Sequence, residues 1–435
     1  MSRALRFERI AHKIFDSVNK AGGEVYISGI RLRDILFNEP SERTDVSIFY
    51  IPEKEFADIL MDYGIVHKVS HHYELSTLEG YRFYCMEGYD LNSLKEHVKV
   101  SPRFTMEALI YDPIHHEMID DYGAMNDIEE GILRIHNVDE FKKQLFNVFD
   151  TARLIACLDL EPANNTYEIC HEMTETHKLS EVGDAYIYVV YSLILMSPQP
   201  SLGFNFLASI DALPKYLSDL ITTPQRLDYH PEGSVWNHTM MVIDEAAWLK
   251  DRATNPLSFM WACLLHDIGK PCVTTIEGHA RLHAEVGAQI FHDQITVIDD
   301  PDERSYIEWM IYHHMTLMWF AIGNESSIVF RRYKKIIENQ VPLNDLILIG
   351  QADKLGRGHD SRDQIRMFNE YMGRMIDTYG LEAEPLLVNE EDLEKAGITD
   401  KWSYRELLDT GFEYQLQGMS KEDILRRLID ESRLY

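Results

Sequence analysis

The sequence predicts an α/β head followed by an all-α neck, a helical bundle and a helical tail. Three observations predict it. Short strand-like runs alternate with helical spacing only near the N-terminus. Apolar positions recur at helical intervals through most of the remaining chain. An ordered set of histidines and aspartates extends from His230 to Asp353, and residues so far apart in sequence meet only if several helices deliver them to one core. Histidine and aspartate suit Fe, Mn, Ni, Co or Zn, with Mg also allowed. The stretch therefore reads as a divalent-metal site in a helical bundle and as the catalytic centre.

At 435 residues the chain has room for two to four domains of roughly 100–200 residues each. Its patterns divide it into residues 1–135, 136–220, 221–365 and 366–435. Apolar residues make up 45% and charged residues 26%, an ordinary globular composition. No apolar run approaches the roughly 20 residues that span a bilayer. The stretch Met1 to Arg9 has basic residues but neither a long apolar core nor a small-residue cleavage site, which argues against a signal peptide. The five cysteines (Cys85, Cys157, Cys170, Cys263, Cys272) form no Cys-x-x-Cys pair, so a reducing, cytoplasmic setting is expected and a zinc ribbon is not. A formal net charge of −30 repels polyanions and disfavours broad nucleic-acid binding, while a local basic patch still suits one phosphate or an RNA end.

In chain order, Leu5, Ile10, Ile14, Phe15 and Val18 have the spacing of a helix over residues 5–20, closed by Gly22-Gly23. Residues 24–29 read as a strand entering a glycine turn, and a helix begins at Arg33. Further strands are expected at 45–50 and around 65–69 and 81–87. Phe141, Leu145, Val148, Phe149, Ala152, Leu154 and Ile155 give the neck its helical spacing, and Tyr186–Met196 is a strongly apolar helix suited to a core. Pro224 and Pro231 bracket a loop. Helices follow at Val235–Leu249 and Leu257–Ile268, the second ending at Gly269 and Pro271 with His266 and Asp267 in its last turn. Adjacent residues on a helix point about 100° apart, so this pair shares a metal only if the ion sits against that edge. The tail from Met367 is helical and polar. No internal repeat or low-complexity segment stands out.

The head resembles the nucleotidyltransferase domain of tRNA nucleotidyltransferases (CCA-adding enzymes) and bacterial poly(A) polymerases. The residues that carry the likeness are Gly29-Ile30-Arg31-Leu32-Arg33-Asp34, then Arg43-Thr44-Asp45, and later Ser101-Pro102-Arg103-Phe104-Thr105-Met106-Glu107-Ala108-Leu109. That family holds its Mg²⁺ ions with an Asp-x-Asp strand, whose i and i+2 side chains face one way. Here Arg43 stands at the first position and only Asp45 remains, the second turn glycine is Ile30, and Gln144–Asp150 departs from the family's nucleotide-selecting run. The resemblance thus implies a nucleotidyltransferase-like scaffold with a degenerate transferase site at Gly29, Arg33, Asp34, Arg43 and Asp45.

The histidine stretch resembles the HD phosphohydrolase superfamily, and most of all the HD domain attached to some bacterial tRNA nucleotidyltransferases. The likeness rests on His230-Pro231-Glu232-Gly233, His238-Thr239-Met240, His266-Asp267, His283-Ala284-Glu285-Val286-Gly287-Ala288, His314-Met315 and Ala352-Asp353-Lys354-Leu355-Gly356-Arg357. It implies His238, His266, Asp267 and Asp353 as ligands of one ion. His283 and His314 either complete a second site or hydrogen-bond a substrate phosphate, and His279 and His313 are weaker candidates. Asp267 would orient a metal-bound hydroxide. Lys270 either answers developing phosphoryl charge or caps a helix dipole. His230 and Arg357 are expected at the substrate. Phe330-Arg331-Arg332-Tyr333-Lys334-Lys335 is the densest basic cluster, with Arg331 and Arg332 read either as RNA-backbone contacts or as a solvated face.

The expectation from these residues is a metal-dependent phosphohydrolase of the phosphatase or 2′,3′-cyclic phosphodiesterase type, acting on RNA 3′ ends (tRNA among them) or nucleotides, with nucleotidyl transfer lost. The alternatives are an active CCA- or A-adding tRNA nucleotidyltransferase and a non-catalytic RNA- or nucleotide-binding protein. No membrane partner is expected.

Overall fold

The computed structural model describes residues 5, 7–40, 43–176, 182–228, 230–275, 278–317, 327–357 and 362–432. Residues 1–4 and 6 of the N-terminal reading lie outside that set. The chain packs as two units, one of Met1–Gly183 with Leu202–Ala212, the other of Asp184–Ser201 with Leu213–Tyr435.

The first unit opens with helix α1 (Arg9–Lys20), which buries Ala11, Ile14, Phe15 and Val18 along one stripe. Strand β1 (Glu24–Ser28) runs into Gly29, whose φ of +81° turns the chain at once into α2 (Ile30–Phe37). The helix therefore starts at Ile30, three residues before the expected Arg33, because the glycine makes the whole turn by itself. Next come β2 (Thr44–Phe49), α3 (Glu53–Met61), β3 (Val66–Val69), β4 (His72–Leu75) and β5 (Leu78–Cys85). Helix α4 (Leu91–Val100), β6 (Ile110–Asp112) and β7 (Glu117–Ile119) complete a seven-stranded sheet in the order β3-β4-β5-β2-β1-β6-β7. Strand β2 pairs antiparallel with β1 and parallel with β5, setting Ser28 opposite Asp45.

Side chains alternate across this sheet. Val25, Ile27, Val46 and Ile48 face α1 and α3, whereas Tyr26, Phe49 and Ile110 pack on Leu94 and Val98 of α4. Asp45 shares the second face, since it lies four residues from Phe49. Helix α5 (Ala124–Glu130), β8 (Ile132–Leu133), α6 (Val138–Phe141), α7 (Phe146–Leu158), β9 (Glu161–Pro162) and α8 (Asn164–Thr176) carry the unit into the helical neck.

The second unit is helical. Its elements are α9 (Asp184–Met196), α11 (Lys215–Thr222), α12 (Val235–Leu249), α13 (Pro256–Leu265), α14 (Lys270–Val273), α15 (His283–Gln294), α16 (Pro301–His313), α17 (Ser327–Ile336) and α18 (Leu343–Leu355), whereas α10 (Pro200–Ser209) belongs mostly to the first unit. Capping residues set the key starts. Ser234 accepts from the Asn237 amide at α12, Asn255 caps α13 ahead of Pro256, and Asp300 caps α16 ahead of Pro301. Helix α13 is apolar all round and buried from Ser258 to Leu265, because α9, α12, α16 and α18 surround it. Helices α19 (Arg362–Tyr379), α20 (Glu390–Lys395), α21 (Tyr404–Leu416) and α22 (Lys421–Ser432) form the tail, where Leu393, Tyr404, Leu407, Ile424 and Leu428 make a small core of their own. Among the described residues no helix is long and apolar enough to cross a membrane.

Candidate functional site

Five helices deliver the candidate ligands, each near one of its ends. His238 lies in the first turns of α12, His266 caps the C-terminus of α13 with Asp267 next to it, His283 opens α15, His314 caps α16, and Asp353 sits in the last turn of α18. His238, His266, Asp267 and Asp353 are all at most 2% exposed. Two triads result. Donor atoms of His238, His266 and Asp353 lie within 4.8 Å of one another, as do those of Asp267, His283 and His314.

The histidines are held in one tautomer. His266, His283 and His314 each donate Nδ1–H to the carbonyl three residues back (Cys263, Ala280 and Ile311), every bond 2.7 Å long. His238 directs Nδ1 to the Glu232 carboxylate at 3.0 Å and to the Gly356 carbonyl at 3.3 Å. All four Nε2 lone pairs therefore turn inward. Those of His283 and His314 face each other at 3.2 Å, His266 Nε2 has no hydrogen-bond partner, and neither Asp267 oxygen has one of ordinary geometry. Acceptors converging at a buried site repel each other unless a cation lies among them; Lys270 meets only one oxygen of Asp267, so these residues fit divalent ions.

The electrostatics agree. Burial, with His283 and His266 nearby, pushes His314 down to about 3, and burial lowers His283 as well, so both are neutral and able to ligate. Burial works against the charge of Asp267, yet His266 and Lys270 hold its carboxyl well below the usual range. His238 moves the other way. Against its burial, the carboxylates of Asp353 and Glu232 raise it, which marks a spot where positive charge is favoured.

A cavity of about 850 Å³ opens on this centre, lined by His230, Lys270, His279, Arg281, His283 and Arg357 among others. Lys270 is buried, 2.6 Å from Asp267 Oδ2 and 2.7 Å from Gln225 Oε1, and it begins α14. That position corrects its reading as a cation at a helix C-terminus. Arg357 Nη2 lies 2.8 Å from Asp353 Oδ2 and so holds a ligand as well as lining the cavity. His279 sits at the mouth, 3.3 Å from Arg226 Nη1. His313 is stacked on Trp309, where burial lowers it to about 4.

The basic cluster of α17 is committed elsewhere. Arg331 forms a bidentate pair with Glu384, and Arg332 forms one with Glu413. Lys335 pairs with Glu338, while Lys334 is 2% exposed and donates to the carbonyls of Tyr379, Gly380 and Glu382. The expectation of Arg331 and Arg332 as RNA contacts is corrected accordingly, because their charge is already matched by carboxylates far along the chain.

In the head, Gly29, Arg31, Arg43, Asp45 and Glu107 line a second cavity of about 250 Å³. Arg43 Nη2 lies 2.8 Å from Asp45 Oδ2. Arg33 and Asp34 are buried and bonded to each other at 2.7 Å, and Arg33 also reaches Glu107 at 3.2 Å. Arg103 bridges Glu107 at 3.2 Å and Asp150 at 2.7 Å. Arg33, Asp34, Glu107, Arg103 and Asp150 thus form one ionic network, buried except at Arg103, with Asp45 and Gly29 left at the cavity.

Sequence reasoning missed three contributors. Glu232 was read only as part of a motif, although it is the acceptor behind His238. A Cβ on Gly269 would stand 2.1 Å from the His283 carbonyl oxygen, and one on Gly356 would stand 2.5 Å from Val242 Cγ2. These close approaches seat α14 on α15 and the end of α18 on α12. The glycines were visible in the motifs, but only packing shows what they touch.

Comparison with known proteins agrees with this architecture. Residues 235–357 match the HD domain family. A multifunctional CCA protein of an Acidovorax species is 34% identical over 35% of this chain, a stretch that spans 36% of that protein's length. The multifunctional CCA protein of Xylella fastidiosa is 26% identical over 86% of this chain and 92% of its own. Among solved structures, the Thermotoga maritima CCA-adding enzyme complexed with tRNA superposes with a TM-score of 0.61 over 98% of this chain and 96% of that one, at 16% identity. Fold and site together define an α/β head on a helical body that carries an HD domain. Residues 235–357 carry an HD domain, and along most of its length the chain is similar to multifunctional CCA proteins and shares the fold of CCA-adding enzymes. The relatives also correct the expectation of a phosphohydrolase with nucleotidyl transfer lost, since proteins matched along nearly the whole chain are CCA proteins; they favour the nucleotidyltransferase alternative.

Proposed function

We propose that this protein is a tRNA nucleotidyltransferase that adds nucleotides to a tRNA 3′ end. The observation that carries the reading is the head cavity bearing Gly29, Arg31 and Asp45, in a chain that follows the CCA-adding frame along 98% of its length. With φ at +81° and no Cβ, Gly29 lets backbone approach a triphosphate, and Arg31 supplies positive charge beside it. Asp45, the strand carboxylate paired with Arg43, would part from that guanidinium to take the proton of the attacking 3′-hydroxyl. The 3′ oxygen then bonds to the α-phosphorus, and the bond to pyrophosphate breaks.

Two divalent ions held by a carboxylate pair commonly serve such a reaction. The head residues do not fit that pair. Arg43 stands where the first carboxylate of the pair is needed and is bonded to Asp45, while Glu107 is held by Arg33 and Arg103. The HD domain does fit metal, with His238, His266, Asp267 and Asp353 for one ion and Asp267, His283 and His314 for another. A bound ion would supply Lewis acidity. Around it, His230, Lys270 and Arg357 would bind and orient a phosphate of the RNA end or nucleotide.

The test is incorporation of labelled CTP and ATP into tRNA lacking its 3′ terminus. Wild-type incorporation that falls at least 100-fold in Asp45→Ala is expected, since a positioned acid or base contributes about 10²–10⁴-fold. Absence of incorporation by the wild type, with either Mg²⁺ or Mn²⁺ present, overturns the proposal.

A further inference from the structure

Glu232 occupies an unusual place among the groups behind the metal-facing histidines. Three of the four candidate histidine ligands orient through a backbone carbonyl three residues earlier. His238 alone of the four has a side-chain carboxylate behind it, with Glu232 Oε1 3.0 Å from its Nδ1. The same oxygen accepts from His230 Nδ1 at 2.8 Å. The Glu232 side chain is only 4% exposed, and its Oε2 is buried without a hydrogen bond. A carboxylate is not buried against two imidazoles without cause, because its desolvation is poorly offset by neutral donors. A cation on the far side of the His238 ring would supply the missing positive charge, since an imidazole donating to a carboxylate is a more basic ligand at its other nitrogen.

We propose that Glu232 is a positioning residue for the metal centre, setting the tautomer and ring orientation of His238 and strengthening its Nε2 as a ligand. It rests on the metal reading of the HD domain. Through His230, which lines the large cavity, the same carboxylate also joins the ligand shell to the cavity wall. The Gly356 carbonyl, 3.3 Å from the same Nδ1, is the weaker acceptor and would hold the ring once Glu232 is removed.

The experiment is metal affinity of the full chain, stripped with chelator and titrated with Mn²⁺ or Co²⁺ by equilibrium dialysis. Glu232→Ala is expected to weaken binding about 10- to 100-fold, the usual cost of losing a group behind a ligand. Glu232→Gln keeps an oxygen that accepts both N–H groups but not the charge, and should recover part of the loss. Melting of the metal-free proteins separates a ligand effect from unfolding. If the wild type binds no ion, the metal reading itself fails. If the wild type binds and Glu232→Ala binds equally well, the metal reading stands and the role of Glu232 is overturned. Should Glu232→Ala not fold, unchanged affinity in Glu232→Gln overturns it instead.

Discussion

Replacing Gly269 by alanine tests how the two halves of the candidate metal centre are joined. The added Cβ would lie 2.1 Å from the His283 carbonyl oxygen and 2.5 Å from the Gly287 amide nitrogen, both backbone atoms that no rotamer change can move. Real Cβ atoms essentially never approach closer than 3.0 Å, so the first turn of α15 must retreat by about 1 Å. Asp267 Oδ1 is now 3.4 Å from His283 Nε2 and 3.9 Å from His314 Nε2. Ligand distances tolerate only about 0.2 Å, so a shift several times larger should abolish binding at that triad. Overpacking of this kind costs about 1–3 kcal/mol, and at about 2–4 °C per kcal/mol for a unit of this size Tm should fall by about 2–12 °C. Thermal unfolding and metal content of the purified protein measure both effects. Gly373→Ala is the control, because a Cβ there meets nothing within 4 Å in a helix interior, and alanine should be neutral or stabilise by about 0.5–1 kcal/mol. Unaltered melting and metal content in Gly269→Ala would refute the argument that this glycine contact sets the distance between Asp267 and His283.

Two further predictions concern buried groups. Asp345 is fully buried and accepts from the Thr254 amide at 3.1 Å and the Tyr306 hydroxyl at 2.7 Å, so Asp345→Ala strands both donors and should cost about 2–4 kcal/mol by urea unfolding, with Tyr306→Phe costing less. Burial pushes the fully buried Cys170 thiol up to about 12. Between roughly pH 8.5 and 12 the unfolded thiol loses its proton first, so this group's contribution is complete below that window and declines as pH rises through it. From pH 8 to 10 the wild type should lose about 2 kcal/mol more stability than Cys170→Ala, and equal losses would remove the explanation.

The candidate ligands were legible in the sequence because each lies in a local pattern that also fixes its helix. Ser234 before Val235 starts α12, Asn255-Pro256 starts α13, and the order His238, His266-Asp267, Asp353 survives in space as a convergent set. The strands β1, β2 and β5 were legible for the same local reason, while β4 was not, since His72–Leu75 is a four-residue hairpin arm with two buried positions. Whether a charge is free was not legible at all. Arg331 and Arg332 look like a nucleic-acid patch until the fold brings up Glu384 and Glu413, 53 and 81 residues further on. The same limit hid Glu232 behind His238 and the backbone contact at Gly269. Residue type and spacing determine which helices form and which ligands they carry, because capping, propensity and apolar periodicity act over a few residues. Which donors are satisfied, which cations are neutralised and how closely two helices approach depend on distances between remote segments, and only the tertiary structure decides those.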